Sequence, residues 1–442
     1  MGEIERRLSS SQIIILGFAA VILVGSLFLM FPASTQDGQG ASFADALFTA
    51  TSAVCVTGLV VQDTATYWTV FGQSVILVLI QVGGMGVVTV ALAVFAASGK
   101  KISLKERSTM QEAISAHKVG GIVKLTGFII KMVFFMELLG ALAMAPAFCR
   151  EFGLGEGIWL GVFHSISAFC NAGFDLMGSK GHYSSLTYFA GDPAINLAIM
   201  ALIVAGGIGF LTWDDIKTNR HRFRKYQMQS KVVLAVTAFL ILAPALYFFF
   251  FEFSREPLAR RVWYSLFQSV TPRTAGFNTA DLNGFSETGL AVVILLMLVG
   301  GSPGSTAGGM KTTTFAVLFS TMVSVFRRRE HTHFFGRRIA GDVVQNAVAI
   351  LAMYLILFLG GGFIISRIEG LALLDCLFET ASAVATVGLT LGVTPKLGLA
   401  SRGILVLLMY IGRVGGLTLI FAASGSKKGN TARLPQEKMT VG

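Results

Sequence analysis

Charged residues are scarce in this sequence. Asp, Glu, Lys and Arg make up 13% of its 442 residues, about half of the roughly 25% found in an ordinary soluble domain. Hydrophobic residues, in contrast, make up 54%. This composition excludes a conventional soluble domain and indicates that the chain folds in a lipid bilayer.

Cysteine pairs and catalytic motifs are also lacking. The four cysteines, Cys55, Cys149, Cys170 and Cys376, show neither CxxC pairing nor the spacing of metal ligands, which excludes a disulfide framework or cysteine-based metal cluster. The GKK at 99–101 lacks the upstream glycine of a phosphate-binding loop. Paired acids and activated nucleophiles are not evident either. We therefore expect no enzyme activity and no covalently bound cofactor.

Long apolar runs are abundant instead. A helix that crosses a bilayer needs about 20 mostly apolar residues, and eight segments are candidates: 13–31, 71–97, 123–148, 195–211, 232–251, 290–299 continued by 315–325, 343–365 and 403–423. The first has the length of a retained helix and lacks the cleavage site of a signal peptide. The predicted fold is an all-α membrane protein with eight transmembrane helices.

The net charge of +11 is distributed on one side of these helices. Basic residues precede the first span and then follow every second one, within 100–107, 217–231, 327–338 and 427–438. The positive-inside rule places these segments and both termini in the cytoplasm, so the chain is predicted to be a multi-pass protein of the cell membrane. We expect contact with membrane lipid and none with nucleic acid.

Four connections on the opposite side contain a moderately apolar segment that is too short to span. They read FTATSAVCVTGL at 48–59, FHSISAFCNAGF at 163–174, FQSVTPRTAGFN at 267–278 and FETASAVATVGL at 378–389. The first Phe lies ten residues before the glycine in three segments and nine before it in the third. The glycines are Gly58, Gly173, Gly276 and Gly388.

A second glycine mark recurs in the apolar helix that follows each segment. It reads QVGGMG at 81–86, VAGGIG at 204–209, LVGGSPG at 298–304 and YIGRVG at 410–415. Two aligned marks predict four repeats of helix, re-entrant loop and helix around a common axis. The predicted repeats are 1–107, 108–231, 232–338 and 339–425, followed by a cytoplasmic tail at 426–442.

Re-entrant segments of this kind indicate an ion pathway. Irregular backbone at membrane depth is tolerated only where it is buried in protein or lines a watery cavity. Short helices that point their C-terminal ends at one axis, followed by extended residues with inward carbonyls, favour a cation. The alternative is that the segments are only tight turns without a role in transport.

At these residues the sequence resembles the Trk/Ktr/HKT superfamily of potassium transporters, and most closely the membrane subunits of bacterial Ktr systems. CVTGL, CNAGF, TPRTAGF, ATVGL, GGSPGSTAGGMK and IGRVG carry the resemblance, which covers essentially the whole chain. It implies four repeats arranged pseudo-fourfold around one pore. It also implies K⁺ uptake through a channel-like selectivity filter, with Na⁺ permeation or Na⁺ dependence left open.

The resemblance assigns the filter residue by residue. Its carbonyls would come from Val56, Thr57, Gly58, Asn171, Ala172, Gly173, Thr274, Ala275, Gly276, Thr386, Val387 and Gly388. Only the Thr-Val-Gly of the fourth repeat closely matches the motif of symmetric K⁺ channels, so fewer well-formed ion sites are expected. The family relates a serine at the first filter glycine to Na⁺ permeation, and Gly58 therefore favours K⁺.

The third repeat differs from the others because glycines and a proline interrupt its second helix. By resemblance, the interruption at 300–311 is an intramembrane gating loop, and the alternative is a structural kink. The predicted gating residues are Gly300, Gly301, Ser302, Pro303, Gly304, Ser305, Thr306, Gly308, Gly309, Lys311 and Arg413.

Arg413 occupies a position where the other repeats have Gly84, Gly207 and Gly301. A charge at membrane depth costs about 2.5–3.5 kcal/mol on insertion scales and usually has a function. We predict that Arg413 forms an electrostatic barrier beside the loop and hydrogen-bonds to its carbonyls. Pairing with a carboxylate at an interface is the alternative.

Glu137 and Lys131 lie in the first helix of the second repeat. We predict buried packing roles for both, with Glu137 accepting a hydrogen bond from the backbone of a re-entrant helix. Proton coupling is the alternative.

The sequence has no motif for handling a chemical fuel. The membrane potential, worth about 2.3 kcal/mol per charge per 100 mV, is sufficient to drive a cation inward. By resemblance, any nucleotide would act through a cytosolic ring of Rossmann-type regulatory subunits, and the membrane subunit would form a homodimer. The basic inner loops could instead attract anionic lipid.

Two other functions remain as alternatives. A secondary transporter for an organic solute is expected to have inverted repeats and a pocket at mid-membrane, whereas these repeats run in one sense. An intramembrane enzyme would need the catalytic groups that the sequence lacks.

Overall fold

The computed structural model describes residues 9–91, 102–114, 120–416, 418, 419 and 422. These residues are mainly helical. Their strands form one small antiparallel hairpin, in which His333–Phe334 pairs with Arg337–Arg338. The prediction of an all-α membrane protein is confirmed in its helical character.

Each predicted repeat contains the same three helices in the same order. The long helices are Ser10–Leu29, Ile122–Phe152, Met228–Tyr247 and Gly341–Glu369. The short helices are Phe43–Val54, Leu154–Phe169, Leu258–Val270 and Leu373–Val384. The third set, called here the broken helices, are Val70–Met85, Pro193–Gly207, Glu287–Leu298 and Leu399–Val414.

Smaller elements connect these helices. The further α-helices are Thr64–Tyr67, Leu104–Ile114, Phe210–Asn219 and Thr312–Phe326. Single 3₁₀ turns lie at Pro32–Ser34, Thr187–Phe189, Phe223–Lys225, Leu282–Gly284 and Thr394–Lys396, and a π-helical turn at Phe248–Glu252 extends the third long helix.

Four of the described helices are long and apolar enough to cross a membrane: Ser10–Leu29, Ile122–Phe152, Met228–Glu252 and Gly341–Glu369. A fifth span results if Pro193–Gly207 and Phe210–Asn219, which meet at an angle of 94°, are taken together. The remaining predicted spans coincide with shorter apolar helices, and part of 71–97 lies outside the described residues. The number of eight spans therefore stays a prediction.

The broken helices correct one sequence-based expectation, namely that only the third repeat is interrupted. Val70–Met85 ends at Gly86, Pro193–Gly207 is followed by a bend at Gly209, and Leu399–Val414 ends at Gly415. All three glycines have φ near 90°, a conformation that glycine adopts without the steric cost of a Cβ atom. The last glycine of the second mark therefore breaks the helix in these repeats as well.

The short helices form the centre of the protein, and the long helices surround them. The first Phe of each re-entrant segment is buried: Phe48, Phe163, Phe267 and Phe378 are at most 1% exposed. Large apolar side chains on the long helices, such as Leu142 and Phe251, are more than 60% exposed. Side chains of this type on an outer surface fit contact with lipid chains.

Candidate functional site

The turns that follow all four short helices share one backbone feature. The residue two positions before each glycine has a left-handed backbone, with φ of 50° at Val56, 57° at Asn171, 67° at Thr274 and 53° at Thr386. This conformation is unfavourable for non-glycine residues and most of all for β-branched ones. Strain of this kind persists where the surrounding structure enforces it, and it is concentrated at functional sites.

Hydrogen bonds explain how the chain adopts this turn. In the first repeat the Thr57 N–H donates to the Ser52 carbonyl at 2.8 Å, and the Val56 N–H donates to the Ala53 carbonyl at 3.1 Å. This pair of bonds is the Schellman motif that commonly ends an α-helix. The second and fourth repeats have the same pair, to Ser167 and Ala168 and to Ser382 and Ala383.

The third repeat makes the turn with one residue fewer. The Ala275 N–H donates to the Thr271 carbonyl at 3.0 Å, and the Thr271 hydroxyl donates to the Phe277 carbonyl at 2.6 Å. Thr271 lies five residues before Gly276, whereas the corresponding serines lie six before their glycines. The missing residue accounts for the shorter spacing between Phe267 and Gly276 noted in the sequence.

The four glycines contact one another in a closed cycle. A Cβ atom on Gly58 would lie 3.1 Å from the Cα of Gly173, and one on Gly173 would lie 3.1 Å from the Cα of Gly276. The cycle continues from Gly276 to Gly388 at 3.1 Å and from Gly388 back to Gly58 at 3.0 Å. All four also have positive φ. Any larger residue would therefore be both strained and in collision with its neighbour.

A small cavity of about 80 Å³ lies against this cycle, and all four glycines line it. Two acidic residues, Asp63 and Asp175, also line it. Burial raises the pKa of Asp175 to about 7, and the nearby Asp63 adds to the increase, while a hydrogen bond from the Met177 N–H opposes it. The charge of this cavity therefore depends on pH near neutrality.

The first glycine of the second mark allows the broken helices to approach the short helices closely. A Cβ atom on Gly83, Gly206 or Gly412 would overlap a carbonyl group at the end of a short helix. Those carbonyls belong to Val54, Phe169 and Val384, each four residues before its filter glycine. In the third repeat, a Cβ atom on Gly300 would instead overlap the Gly308 carbonyl of the loop and lie 3.1 Å from the methyl carbon of Thr274.

The loop at 300–311 is closed at its base by its own backbone. The Gly300 N–H donates to the Met310 carbonyl at 2.8 Å, and the Thr312 N–H donates to the Gly301 carbonyl at 2.9 Å. The Ser302 and Thr312 hydroxyls are 3.0 Å apart and hydrogen-bonded. These contacts define an ordered loop with two joined ends.

The body of the loop rests on the second repeat and on the filter turns. The Ser302 N–H donates to the Gly207 carbonyl at 2.9 Å, and the Phe210 N–H donates to the Gly304 carbonyl at 2.7 Å. The Thr306 hydroxyl is 3.0 Å from the side-chain oxygen of Asn171, a predicted filter residue. The loop therefore connects the bend of a broken helix to the turn that contains Asn171.

Two half-buried cations hold the loop. The Arg413 guanidinium donates to the carbonyls of Thr306 in the loop and of Gly83 and Gly84 in the first repeat, the last at 3.2 Å. The Lys311 ammonium donates to the Ala307 carbonyl at 2.7 Å. The contact between Arg413 and a loop carbonyl is the one expected from the sequence, whereas pairing with a carboxylate is not observed among the described residues. Its role as a barrier stays a prediction.

A second cavity, of about 140 Å³, is lined by Gly304, Lys311 and Arg413 together with Glu112 of the helix Leu104–Ile114. Within the described part of the chain, none of the residues that line this cavity lines the cavity at the glycine cycle. The loop and the glycine cycle thus border separate cavities.

Two expectations about the second long helix need correction. Lys131 is exposed on its outer face rather than buried. Glu137 is buried, but its carboxylate accepts from the side chains of Gln81, at 3.2 Å, and Cys170, at 3.8 Å, rather than from backbone. The Glu137 backbone carbonyl accepts from the Ser165 hydroxyl at 2.5 Å. The sequence could not reveal this because all the partners lie on other helices.

Arg273 is a buried residue to which sequence analysis assigned no role. It is 4% exposed, lies three residues before Gly276, and donates to the Thr237 hydroxyl at 3.3 Å. Its backbone carbonyl accepts from the Asn171 amide at 3.3 Å. A cation within a re-entrant segment is the sequence signal that could have marked it.

Together, the fold and the glycine cycle define a helical membrane protein in which the turns after four short helices converge from four parts of one chain. Sequence comparison gives the family, since residues 4–431 match TrkH, described as a cation transport protein. This chain belongs to the TrkH family.

Individual relatives agree with this assignment. The potassium/sodium uptake protein NtpJ of Enterococcus hirae is 38% identical over 451 aligned residues, which cover 100% of this chain and 99% of the relative. The Ktr system potassium uptake protein B of Bacillus subtilis is 38% identical, covering 99% of this chain and 97% of the relative. The crystal structure of the potassium transporter TrkH from Vibrio parahaemolyticus has a TM-score of 0.71 at 20% identity, covering 91% and 84% respectively.

Proposed function

We propose that this protein takes up K⁺ through one pore, around which its four repeats are arranged pseudo-fourfold. The closed cycle of Gly58, Gly173, Gly276 and Gly388 is the observation that carries the proposal. Each glycine also faces the carbonyl of the residue preceding the next glycine in the cycle. Backbone carbonyls that converge on one axis can replace the hydration shell of a passing cation.

The helix ends support a cation over an anion. Each short helix points its C-terminal end, which carries a partial negative charge, towards the turn that leads to its glycine. Asp63 and Asp175, which line the cavity at the glycine cycle, add negative charge where the ion enters. The membrane potential then drives the cation inward without a chemical fuel.

In this proposal the chain crosses the membrane eight times. The four long helices account for half of the crossings, and the four broken helices with their continuations account for the other half. The short helices enter and leave on the outer side, which places both termini in the cytoplasm in agreement with the basic inner segments.

Gly58 and the names of the relatives support K⁺ as the main substrate, with Na⁺ as a competing or coupled ion. One relative is named for potassium uptake and another for potassium and sodium uptake. The residues assigned to the filter are Val56 to Gly58 and their counterparts in the other three repeats, as predicted from the sequence.

The loop at 300–311 acts as a gate in this proposal. It contacts a filter residue on one side and borders the second cavity on the other, so an ion leaving the filter would meet it. The Arg413 guanidinium stabilises the closed position through its bonds to the carbonyls of Thr306, Gly83 and Gly84. Movement of the loop opens the path.

Regulation is proposed to come from another chain. The relatives named as components of a Ktr system imply an assembly of several proteins. A cytosolic ring of Rossmann-type nucleotide-binding subunits that docks on the basic inner segments of a homodimer fits this organisation.

Rubidium flux into proteoliposomes under an imposed membrane potential, negative inside, tests the function. We expect uptake that K⁺ suppresses strongly, Na⁺ weakly and a neutral solute not at all. Uptake of the solute instead would indicate a secondary transporter, and absence of any flux in folded protein would contradict the proposal.

A further inference from the structure

A polar residue follows the first Phe of every re-entrant segment, in the second half of the short helix. It is Thr49, His164, Gln268 or Glu379, and each is at most 1% exposed. The four residue types share no chemistry beyond hydrogen bonding. A buried polar side chain is destabilising without a hydrogen-bond partner, so the partner that each one has, or lacks, shows what it contributes.

Glu379 bonds to the segment that leaves the filter in the fourth repeat, called here the exit segment. Its Oε1 accepts from the Leu391 N–H at 3.1 Å and from the Thr390 hydroxyl, and its Oε2 accepts from the Thr394 hydroxyl. Leu391 is three residues beyond Gly388. One carboxyl group therefore holds the exit segment at three places.

His164 and Gln268 bond to the corresponding segments of their own repeats. His164 donates from Nδ1 to the Leu160 carbonyl at 2.8 Å, which leaves Nε2 to accept from the Leu176 N–H at 3.3 Å. Leu176 is three residues beyond Gly173, as Leu391 is beyond Gly388. The Gln268 amide donates to the Asn278 side-chain oxygen at 2.8 Å, two residues beyond Gly276.

The first repeat lacks this connection. The Thr49 hydroxyl is buried and has no hydrogen-bond partner. Its exit segment is held by the second repeat instead, where the Tyr183 hydroxyl donates to the Val61 carbonyl at 3.3 Å and the Tyr183 N–H donates to Asp63 at 2.9 Å. The position after the first Phe is therefore bonded to the exit segment of its own repeat in three repeats and is not bonded to it in the first.

We propose that His164, Gln268 and Glu379 are positioning residues that fix the outer end of the filter, and that Glu379 contributes most. This inference rests on the proposed function, because it assumes that the glycine cycle selects the ion. A filter glycine lies between two fixed points, the Schellman turn before it and the bonded exit segment after it. Releasing the second point lets the carbonyls relax towards the smaller Na⁺ ion, while the path for K⁺ remains open.

Two variants release the fourth exit segment from opposite sides. Glu379→Leu removes the acceptors, and the double substitution Thr390→Val with Thr394→Val removes two of the three donors without changing side-chain shape. Glu379→Gln retains one carbonyl oxygen and serves as the conservative variant. Thr49→Val is the matched control, since it removes a hydroxyl without a partner at the same position of the first repeat.

The measurement is the ratio of K⁺ to Na⁺ flux in proteoliposomes, together with the saturating K⁺ flux of the same samples. We expect Glu379→Leu and the double variant to lower the ratio by about tenfold, the effect of losing hydrogen bonds to a buried carboxyl group. We expect Glu379→Gln to recover most of the ratio and Thr49→Val to match the unaltered protein. Saturating K⁺ flux should change little.

An unchanged ratio in the folded double variant overturns the inference, even if Glu379→Leu fails to fold. An equal effect of Thr49→Val also overturns it, because a general packing defect would then explain the result. Failure of the proposed function looks different: the unaltered protein would show no K⁺ flux at all.

Discussion

The filter turns and the broken helices form two layers of the same four repeats, and they use repetition in opposite ways. In the filter layer, residues as different as Val56, Asn171 and Thr274 adopt one backbone conformation. In the layer of broken helices, similar glycine marks lead to different structures. The mark is followed by a helix end in the first repeat, a sharp bend in the second and a loop in the third, and in the fourth it contains an arginine that binds this loop.

This difference follows from what each layer contributes in the proposed mechanism. A filter that coordinates an ion through carbonyl groups depends on backbone geometry, so side chains can vary as long as the turn is preserved. A gate needs one element that moves against fixed neighbours, and an asymmetric layer provides it. In this proposal, the symmetric backbone of the filter layer selects the ion, and the asymmetric layer of broken helices controls its passage.

The largest expected effect on rubidium flux comes from a substitution in the filter layer. Gly276→Ala forces a Cβ atom against the Val387 carbonyl, and because overpacking costs about 1–3 kcal/mol, we expect rubidium flux to fall by about 10- to 100-fold. Gly370→Ala is the matched control, because Gly370 has a similar φ of 69° but open space around it. Equal loss in both variants would show that backbone strain alone, and not contact within the cycle, is responsible.

A smaller effect of opposite sign is expected in the layer of broken helices. Arg413→Ala removes the bonds to Thr306, Gly83 and Gly84, so the loop is held less firmly and flux should rise by about tenfold. Arg402→Ala is the control on the same helix, since Arg402 pairs with Asp45 at 3.1 Å on the outer side. A folded Arg413→Ala protein with unaltered flux would remove Arg413 from the gate.

Selectivity sharpens the comparison further. Gly58→Ser places a side chain against the Ala172 carbonyl and Gly173, so we expect the K⁺/Na⁺ flux ratio to fall by about threefold to tenfold, through the geometry of the carbonyl groups. Competition between Rb⁺ and Na⁺ measures it. If discrimination is unchanged while flux falls, the first repeat shapes the pore without selecting the ion.

The smallest effect concerns external pH. Because burial raises the pKa of Asp175 to about 7, the carboxyl group is mostly charged at pH 8 and mostly neutral at pH 6. We expect K⁺ influx at low external K⁺ to fall by about twofold when the pH is lowered from 8 to 6, because the negative charge that attracts cations to the cleft is lost.

Asp175→Asn should abolish the response to pH, and Asp37→Asn, which alters an exposed acid with a lowered pKa, should leave it in place. A response that persists in Asp175→Asn would assign the titration to another group.

Several features were predictable from sequence because they are local. Gly58, Gly173 and Gly388 each lie ten residues after a Phe and Gly276 lies nine residues after one, and this recurrence predicted four equivalent segments. The breaks at Gly86, Gly209 and Gly415 were not predicted, because each occurs within an apolar run that periodicity alone describes as one helix.

Contacts between repeats were harder to predict from the sequence. Arg413 was identified as an isolated charge, but its bonds to Gly83 and Gly84 cross 330 and 329 residues of sequence. Glu137 and Lys131 looked alike as charges within an apolar helix, and only their different directions from that helix separated a buried group from an exposed one. The polar partners of Glu379 and His164 were likewise hidden in variable exit segments.

The sequence by itself determined that this protein folds in a lipid bilayer and that four similar segments recur along its chain, because composition, apolar length and glycine spacing depend on residues that are close together in the sequence. Only the tertiary structure decided that four distant turns close into one cycle and that a single arginine reaches the loop. Those outcomes depend on carbonyl groups brought together from separate repeats. Because every residue has a backbone carbonyl, the residue type does not indicate which distant group that carbonyl will contact.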